Sequence, residues 1–417
     1  MKKISIFAVF MMIAMSVLTA CQDDHEDYSS GNAETRNKAM ARRTVLVFIS
    51  GENDLDRMVL RDMAEMKEGS KGIGDNNLIL FVDRCSDKEL PWMARLKNGQ
   101  VTDSVSIADM GISTHDEYAS DPQVFESVLR YAFNHYAAED YGLVLWGHST
   151  GWLIEDEVKT RAYGIDNGKN DRNAVGGYWL NIPTMGKILS RMPHLKFIMA
   201  DCCNFMCLEV LYELRNVTDY ILGSPAEIPS FGAPYNTVIP ALFERTSFAT
   251  SAIDRYHAAY IDKLPLTVAK TGEMENLAQA TRTVLRDIKA NEGDGYPDMT
   301  GTIHYNNNGG NSMNYNPADN IFYDAGDFIN SHAAANSYKE WKKVLDRVVI
   351  QKYSAQSWST FMPWSVFFND FTVTSEKFHG VSMFVPQSPQ GSVYASYNHN
   401  IRSMAWYNAA GLQEMGW

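Results

Sequence analysis

The stretch KFIMADCCNFMCLEV, residues 196–210, decides the expected fold of this chain. Its first part is an apolar run typical of a buried strand, and its last part has the composition of a short helix. Between them the chain turns through Asp201-Cys202-Cys203-Asn204. In α/β folds the reactive side chains gather just beyond the carboxyl ends of the strands, so this turn is a candidate functional site.

Similar apolar runs alternate with helical patterns through the rest of the chain. The predicted strands are residues 45–50, 78–82, 143–146, 197–200, 220–222 and 381–385, and the predicted helices between them are 57–68, 122–138, 182–191 and 208–214. Helices of this length connect parallel strands, so the sequence predicts an α/β/α sandwich with a mostly parallel central sheet. Helical patterns at 274–290 and 333–344 predict a largely helical C-terminal portion packed on this core.

The N-terminal residues predict export and lipidation. Residues 1–21 have a positive start, a short apolar run and the sequence Leu-Thr-Ala-Cys, which resembles the lipobox of bacterial lipoproteins. We therefore expect Cys21 to carry a lipid that anchors the protein in the bacterial envelope, at the outer membrane. The acidic residues at 23, 24, 26 and 27 resemble tags that send some lipoproteins to the cell surface; a plain solvated linker explains them equally well.

The remaining chain divides into three predicted parts. Residues 22–43 contain few large apolar side chains and are expected to form a flexible acidic tether, since they cannot bury enough surface to offset their ordering entropy. Residues 44–265 are expected to form the core domain, and residues 266–417 the C-terminal portion. The net charge of −13 argues against nucleic acid as a partner, because an acidic surface repels phosphate.

Cysteine spacing favours free thiols over a disulfide framework. Apart from Cys21 there are four cysteines, and Cys202, Cys203 and Cys207 lie within six positions. The residues alone leave open whether Cys202 and Cys203 serve packing or chemistry; alternation along a strand sends their side chains in opposite directions. Zinc is not expected, because adjacent cysteines cannot easily reach one tetrahedral centre.

A histidine follows the predicted strand 143–146. If this strand neighbours the strand 197–200, His148 and Cys203 face each other at adjacent strand ends, as nucleophilic catalysis by a thiol requires. The same segment, GHSTG at 147–151, also matches the nucleophile motif of α/β-hydrolases, with Ser149 as nucleophile. A third possibility is a non-catalytic, lipid-anchored binding protein.

Two segments resemble the clostripain-like cysteine peptidases, family C11, which have a caspase-like fold. Residues 141–152, YGLVLWGHSTGW, are similar to the family's histidine segment, and residues 201–210 are similar to its cysteine segment. Smaller similarities at 52–55, 224–227 and 380–384 extend the resemblance through most of residues 44–417. The family's usual glycine after the histidine is Ser149 here.

The resemblance implies a cysteine endopeptidase that needs no metal or cofactor, with Cys203 as nucleophile and His148 as proton carrier. It implies that backbone N–H groups of Ser149 and Cys203 bind the oxyanion. It assigns Asp201, and with it Asn53, to a pocket for a substrate Arg or Lys at P1, although an aspartate before a helix is also a common cap. The partners would be peptides and proteins cleaved after these residues.

Members of this family are activated by cleaving themselves in the loop that follows the histidine segment. In this chain the loop contains Lys159 and Arg161, and we expect the processed bond to be Arg161–Ala162, with cleavage after Lys159 as the alternative. Calcium binding by Asp319, Asp324 and Asp327 is a further possibility, but carboxylates before a predicted helix favour capping.

Overall fold

The computed structural model describes residues 40–86, 88–153, 162–168, 177–305, 321–355, 357–359, 366–368, 373–389 and 394–417. Within them the strands are β1 (Ala41–Gly51), β2 (Asn77–Arg84), β3 (Trp92–Lys97), β4 (Gln100–Ser106), β5 (Ala138–Trp146), β6 (Tyr163–Asp166), β7 (Tyr178–Leu180), β8 (Leu195–Asp201), β9 (Tyr220–Gly223), β10 (Leu266–Lys270), β11 (Tyr323–Asp324), β12 (Val349–Tyr353), β13 (Ser357–Ser359), β14 (Val366–Phe368) and β15 (Ser382–Met383).

The helices are α1 (Asp56–Gly69), α2 (Pro122–His135), α3 (Ile182–Leu189), α4 (Leu208–Glu213), α5 (Tyr235–Leu242), α6 (Phe248–Ala259), α7 (Met274–Glu292), α8 (Ala325–His332), α9 (Ala335–Val348), α10 (Tyr394–Asn400) and α11 (Ala405–Ala409). Short 3₁₀ turns occur at Ser70–Gly72, Thr271–Glu273, Ile401–Ser403 and Leu412–Met415. None of the described helices combines the length and apolar composition needed to cross a membrane.

Nine strands form one sheet in the order β12-β10-β9-β8-β5-β1-β2-β3-β4. The central pairs β1–β2, β1–β5, β5–β8 and β8–β9 are parallel, and the outer strands are antiparallel. The predicted mostly parallel sheet is therefore confirmed. In particular β5 and β8 are direct neighbours, with Trp146 opposite Asp201.

Both faces of the sheet are covered, and β1 shows why. Along β1, Leu46 and Phe48 enter one apolar core, whereas Val45, Val47 and Ile49 enter the other, because successive side chains point to opposite faces. Helices α2, α3, α4, α7, α8 and α9 pack on the first core, and α1, α5 and α6 pack on the second. A strand buried on both faces reads as a continuous apolar run, which is the pattern of β1.

Two sequence predictions need correction, and a third needs an addition. The predicted strand at 381–385 is only the two-residue β15, which pairs with β11 outside the main sheet. The expected tether 22–43 runs too far, since β1 already begins at Ala41 and the buried Arg43 forms an ion pair with Asp140. The C-terminal portion, predicted to be largely helical, also contributes β10 and β12 to the main sheet within the unit Met40–Trp417.

Candidate functional site

A cavity of about 300 Å³ opens at the carboxyl ends of the central strands. Its lining includes His148 and Ser149 after β5, Asp201 and Cys203 at the end of β8, and Glu227 after β9. The candidate histidine and thiol are thus brought to one cavity from neighbouring strands, each two residues beyond a pair that is in register. No Lys or Arg occurs among the described residues that line it.

The turn after β5 is shaped by a glycine and holds the imidazole. Gly147 has a φ of 142°, and a Cβ there would lie 2.9 Å from the carbonyl oxygen of Ser50, so a larger residue would force the turn away from β1. His148 follows, and its Nε2 lies 2.7 Å from Oδ1 of Asp54. Both side chains are partly exposed, at 25% and 21%. The imidazole is therefore oriented by a carboxylate from the loop after β1.

The two adjacent cysteines at the end of β8 have different environments. Cys202 is fully buried in the apolar core, whereas Cys203 is partly exposed in the cavity. Asn204 adopts a φ of 55°, which turns the chain sharply after the thiol. The structure thus separates a packing cysteine from an accessible one, a choice that the residues alone left open.

The Cys203 thiol does not lie at a helix start, because α4 begins only at Leu208. Its Sγ accepts a hydrogen bond from the backbone N–H of Ile228, at 3.4 Å. Burial, followed by the Glu227 carboxylate, raises the pKa of the Cys203 thiol to about 12. A thiol with a pKa this high is protonated at neutral pH and requires a base to become a nucleophile.

Ser149 does not have the geometry of a serine nucleophile. It is 5% exposed, and its Oγ accepts a hydrogen bond from the backbone N–H of Gly151 at 3.0 Å. Residue 149 forms an isolated antiparallel bridge with Tyr163, whereas a nucleophile elbow leads directly into a helix. The alternative of an α/β-hydrolase is therefore wrong.

Asp201 lines the cavity and is 3% exposed. Its carboxylate accepts hydrogen bonds from the hydroxyl groups of Tyr235 (2.6 Å) and Tyr256 (2.8 Å) and from the backbone N–H of Ala233 (3.0 Å). Burial raises the pKa of Asp201, and the three donors oppose that rise. Asp201 is not the cap of α4, which begins seven residues later.

Asn53 does not line the cavity, contrary to the prediction. Its Nδ2 donates to the carbonyl oxygens of Ser50 (3.1 Å) and Ile165 (2.8 Å), and its Oδ1 accepts from the N–H of Leu55 (2.9 Å). The amide of this fully buried residue is thereby committed to the backbone of the loop that presents Asp54.

Neither Asp54 nor Glu227 was assigned a role from the sequence, although Asp54 follows the predicted strand 45–50, where reactive groups are expected. Both lie in segments that resemble the family, 52–55 and 224–227, but nothing in those letters shows which side chain reaches the site. Burial raises the pKa of Glu227 to about 7, and the charge of His148 lowers it. Glu227 is therefore a second carboxylate close to the imidazole.

The other predicted sites are placed as follows. Arg161 and Lys159 lie outside the described residues, whereas Ala162 is fully buried. Asp324 accepts hydrogen bonds from the N–H groups of Gly326 and Asp327, which is the capping role that the sequence favoured. Its two oxygens also contact His379 and Tyr305. Asp319 and the predicted anchor residue Cys21 are outside the described part.

Comparison with known proteins agrees with this architecture. A secreted C11 cysteine protease from Bacteroides thetaiotaomicron, solved with an irreversible peptide inhibitor, superimposes with a TM-score of 0.72 at 28% identity, over 90% of this chain and 100% of that chain. An inactive zymogen C11 protease from Parabacteroides distasonis has the same fold, with a TM-score of 0.70 at 24% identity, over 89% and 98% of the two chains. The fold is therefore the caspase-like α/β/α sandwich of C11 proteases.

The sequence comparisons agree with the fold. Clostripain from Hathewaya histolytica is 25% identical over 193 residues, or 41% of this chain; the match spans only 36% of the length of that relative. The Peptidase C11 model, described as the clostripain family, matches residues 47–416. The chain therefore belongs to the clostripain family of cysteine peptidases.

Proposed function

We propose that this protein is a cysteine endopeptidase in which Cys203 attacks the peptide carbonyl and His148 carries the proton. The observation that carries the proposal is the placement of both residues in one cavity, at matching positions beyond the paired strands β5 and β8. The hydrogen bond between His148 Nε2 and Asp54 supplies a third group, a carboxylate that orients His148 as the catalytic base.

The reaction follows from these positions. As Cys203 Sγ bonds to the carbonyl carbon, its proton passes to His148; with Nε2 held by Asp54, Nδ1 receives it. The imidazolium then protonates the departing amine while the C–N bond breaks, leaving a thioester. A water oxygen then bonds to the thioester carbon and its proton passes to His148. The C–S bond breaks, Cys203 Sγ regains the proton from His148, and the carboxylic acid product leaves. Backbone N–H groups of Ser149 and Cys203 are proposed to hold the oxyanion.

We further propose that the P1 side chain is Arg or Lys. The support is electrostatic: Asp201 and Glu227 both line the cavity, and no described Lys or Arg lies beside them in the lining. A guanidinium or ammonium group that enters the cavity would pair with the buried Asp201 carboxylate and the partly exposed Glu227 carboxylate, which favours a cation over a neutral side chain.

Asp54→Asn is expected to lower kcat about ten- to a hundredfold with little change in KM, because the amide keeps the shape but no longer stabilises the imidazolium. The effect should be smaller than for a fully buried orienting aspartate, since Asp54 is 21% exposed. The matched control is Asp56→Asn, which removes the carboxylate paired with Arg84 at 3.0 Å and should alter stability without altering kcat. Equal loss of kcat in both variants would refute the orienting role of Asp54.

Self-processing in the segment 154–161 is also proposed, with a revised position for the bond. Ala162 is fully buried and its carbonyl oxygen accepts a hydrogen bond from Thr150 N–H at 3.0 Å, which disfavours Ala162 as the residue after the cleaved bond. We therefore place cleavage after Lys159.

The N-terminal sequence of the processed C-terminal piece is expected to begin at Thr160. Lys159→Gln should block processing and Arg161→Gln, the matched control, should not. Cys203→Ala should stay intact when no other protease is present. A piece that begins at Ala162 would restore Arg161–Ala162 as the processed bond, and processing of Cys203→Ala would remove self-cleavage altogether.

Lipid anchoring at Cys21 and location in the outer membrane remain part of the proposal, supported by the sequence LTAC at 18–21. Incorporation of labelled fatty acid into the wild type and its absence in Cys21→Ser would test it.

A further inference from the structure

A buried carboxyl group behind the wall of the cavity takes no part in the proposed reaction. Asp62 belongs to α1 and is 0% exposed. Its Oδ2 accepts a hydrogen bond from Nε1 of Trp146 at 2.7 Å, and Trp146 itself lines the cavity. In the sheet Trp146 is the register partner of Asp201. Asp62 is therefore connected to the cavity wall through the residue that is paired with Asp201.

The other oxygen of Asp62 has no hydrogen-bond donor. Oδ1 is buried and lacks a partner among the described residues. In the part of the chain that the structure describes, no Lys, Arg or His forms an ion pair with Asp62 or with Asp201. A buried carboxylate oxygen without a donor is costly, so the empty cavity favours the protonated form of Asp62. A cation nearby would favour the ionised form.

The charge of Asp201 acts on Asp62. Burial, followed by the Asp201 carboxylate, raises the pKa of Asp62 to about 8. The hydrogen bond from Trp146 lowers this pKa, and the charges of Glu65 and Arg61 on α1 act in opposite directions. Since the two buried carboxyl groups repel each other, a ligand that neutralises Asp201 also makes Asp62 easier to ionise.

Two cations on the strands that flank α1 have other partners. Arg84 at the end of β2 pairs with Asp56 at 3.0 Å, and Lys97 at the end of β3 pairs with Asp75 at 3.0 Å. No ion pair joins either of them to Asp62 within the described residues. The negative charge that Asp62 can acquire is therefore not compensated from β2 or β3.

Helix α5 contributes a neutral donor. Tyr235 is fully buried, and its hydroxyl group donates to Asp201 at 2.6 Å. Burial, and then the charges of Asp201 and Asp62, raise the pKa of this hydroxyl group well above its usual range. Tyr235 therefore stays protonated over the pH range in which Asp62 titrates, and it does not contribute to that titration.

We propose that Asp62 is a second carboxyl group of the P1 pocket, which touches no substrate atom but ionises when a cationic P1 side chain enters. The proposal rests on the P1 role proposed above for Asp201. A cation beside Asp201 stabilises ionised Asp62 as well, because charges are poorly screened in a buried region. The Asp62 proton passes to the solvent as the substrate binds. The preference for a cationic P1 residue should therefore increase with pH, up to the pH of about 8 at which Asp62 ionises in the empty enzyme.

Glu227 offers a second source of such a pH dependence. It lines the same cavity, and burial raises its pKa to about 7 while the charge of His148 lowers it. The two carboxyl groups are distinguished by substitution, because Asp62 lies on α1 and Glu227 lies in the loop after β9.

The test compares two fluorogenic peptides that differ only in Arg or its neutral isostere citrulline at P1. Both are hydrolysed by the processed wild-type enzyme between about pH 6 and about pH 9. The ratio of the two kcat/KM values cancels the titration of Cys203 and His148, and Arg stays protonated throughout. We expect this ratio to increase about tenfold, with its midpoint near the pKa of about 8 of Asp62 in the free enzyme.

Substitutions then identify the titrating group. Asp62→Asn should keep the hydrogen bond from Trp146, because the amide oxygen still accepts it, and the ratio should stay at its low-pH value at every pH. Asp56→Asn, the matched control on the same helix, and Glu227→Gln should both retain the increase. Asp201→Asn should lower the ratio at every pH. It should also shift the remaining increase to lower pH, since the charge that raises the Asp62 pKa is gone.

Three results would overturn the role of Asp62: a wild-type ratio above one that does not change with pH, an increase that persists in folded Asp62→Asn, or an increase that disappears in Glu227→Gln. A ratio near one at every pH would remove the P1 preference itself, and this proposal with it. A purely structural Asp62 would lower both kcat/KM values equally and leave the pH dependence of their ratio intact. Wild type and Glu227→Gln retain Asp62, so an Asp62→Asn chain that fails to fold does not obstruct the test.

Discussion

Replacing Cys203 by alanine is expected to lower kcat by about 10⁴-fold or more on any peptide substrate, because no other group on the cavity wall replaces the thiol. Cys202→Ala is the matched control, since the neighbouring thiol is fully buried in the apolar core. That variant should lose about 1–2 kcal/mol of unfolding free energy and keep kcat within a few-fold of wild type. Hydrolysis of a fluorogenic peptide and thermal unfolding of both variants provide the measurements.

The two outcomes separate chemistry from packing. If Cys203→Ala kept substantial activity, or if a folded Cys202→Ala lost all of it, the assignment of the nucleophile would be wrong. His148→Ala should lower kcat nearly as much as Cys203→Ala does. A thiol whose pKa is raised to about 12 by burial cannot ionise at neutral pH without a base. A variant that carries both Cys203→Ala and His148→Ala should then have a kcat only slightly lower than that of either single variant.

The second large loss of activity is expected when Asp201, which lines the cavity, is replaced. Asp201→Asn should lower kcat/KM for Arg substrates by roughly 30- to 1,000-fold, since losing one partner of a buried charge pair costs about 2–4 kcal/mol. For substrates with a neutral P1 residue, kcat/KM should decrease much less. The comparison requires paired fluorogenic peptides that differ only in P1, assayed at one pH. Glu227→Gln, which removes the other carboxylate of the lining, is the matched control.

Equal losses on Arg and neutral substrates would show that Asp201 serves the fold and not the substrate. That outcome has a physical basis, because its carboxylate also anchors Tyr235 and Tyr256. A selective loss in Glu227→Gln alone would transfer the P1 role to Glu227. Unfolding free energies of both variants distinguish these cases from a general loss of structure.

The sequence predicted the central strands well because they are buried on both faces and read as unbroken apolar runs. The outer strands carry no such signal: β4 has the sequence QVTDSVS and is largely exposed, and β12 is only partly buried. Conversely, the apolar run at 381–385 is fully buried without forming a strand of the main sheet. Burial, not strand pairing, explains its composition.

At the site, the sequence located the residues that directly follow buried strands, and it was less successful in the loops. His148 and Cys203 lie where parallel strands end, which strand order alone can suggest. In the loop after β1, Asn53 was predicted to line the cavity, but its neighbour Asp54 reaches the imidazole. The approach of three buried carboxylates, Glu52, Asp83 and Asp166, was not predicted either, because Asp166 is brought to the other two by β6, a strand outside the main sheet.

The strand order determines how the protein would hold together after cleavage in the segment 154–161. The segment 154–161 separates β1–β5 from all later strands, and the sheet divides at the same point, between β5 and β8. A nick there would yield a two-chain assembly, held by a buried strand pair, that denaturant but not simple dilution should separate. The N-terminal fragment would carry His148 and the C-terminal fragment Cys203, so neither fragment could hydrolyse peptides without the other.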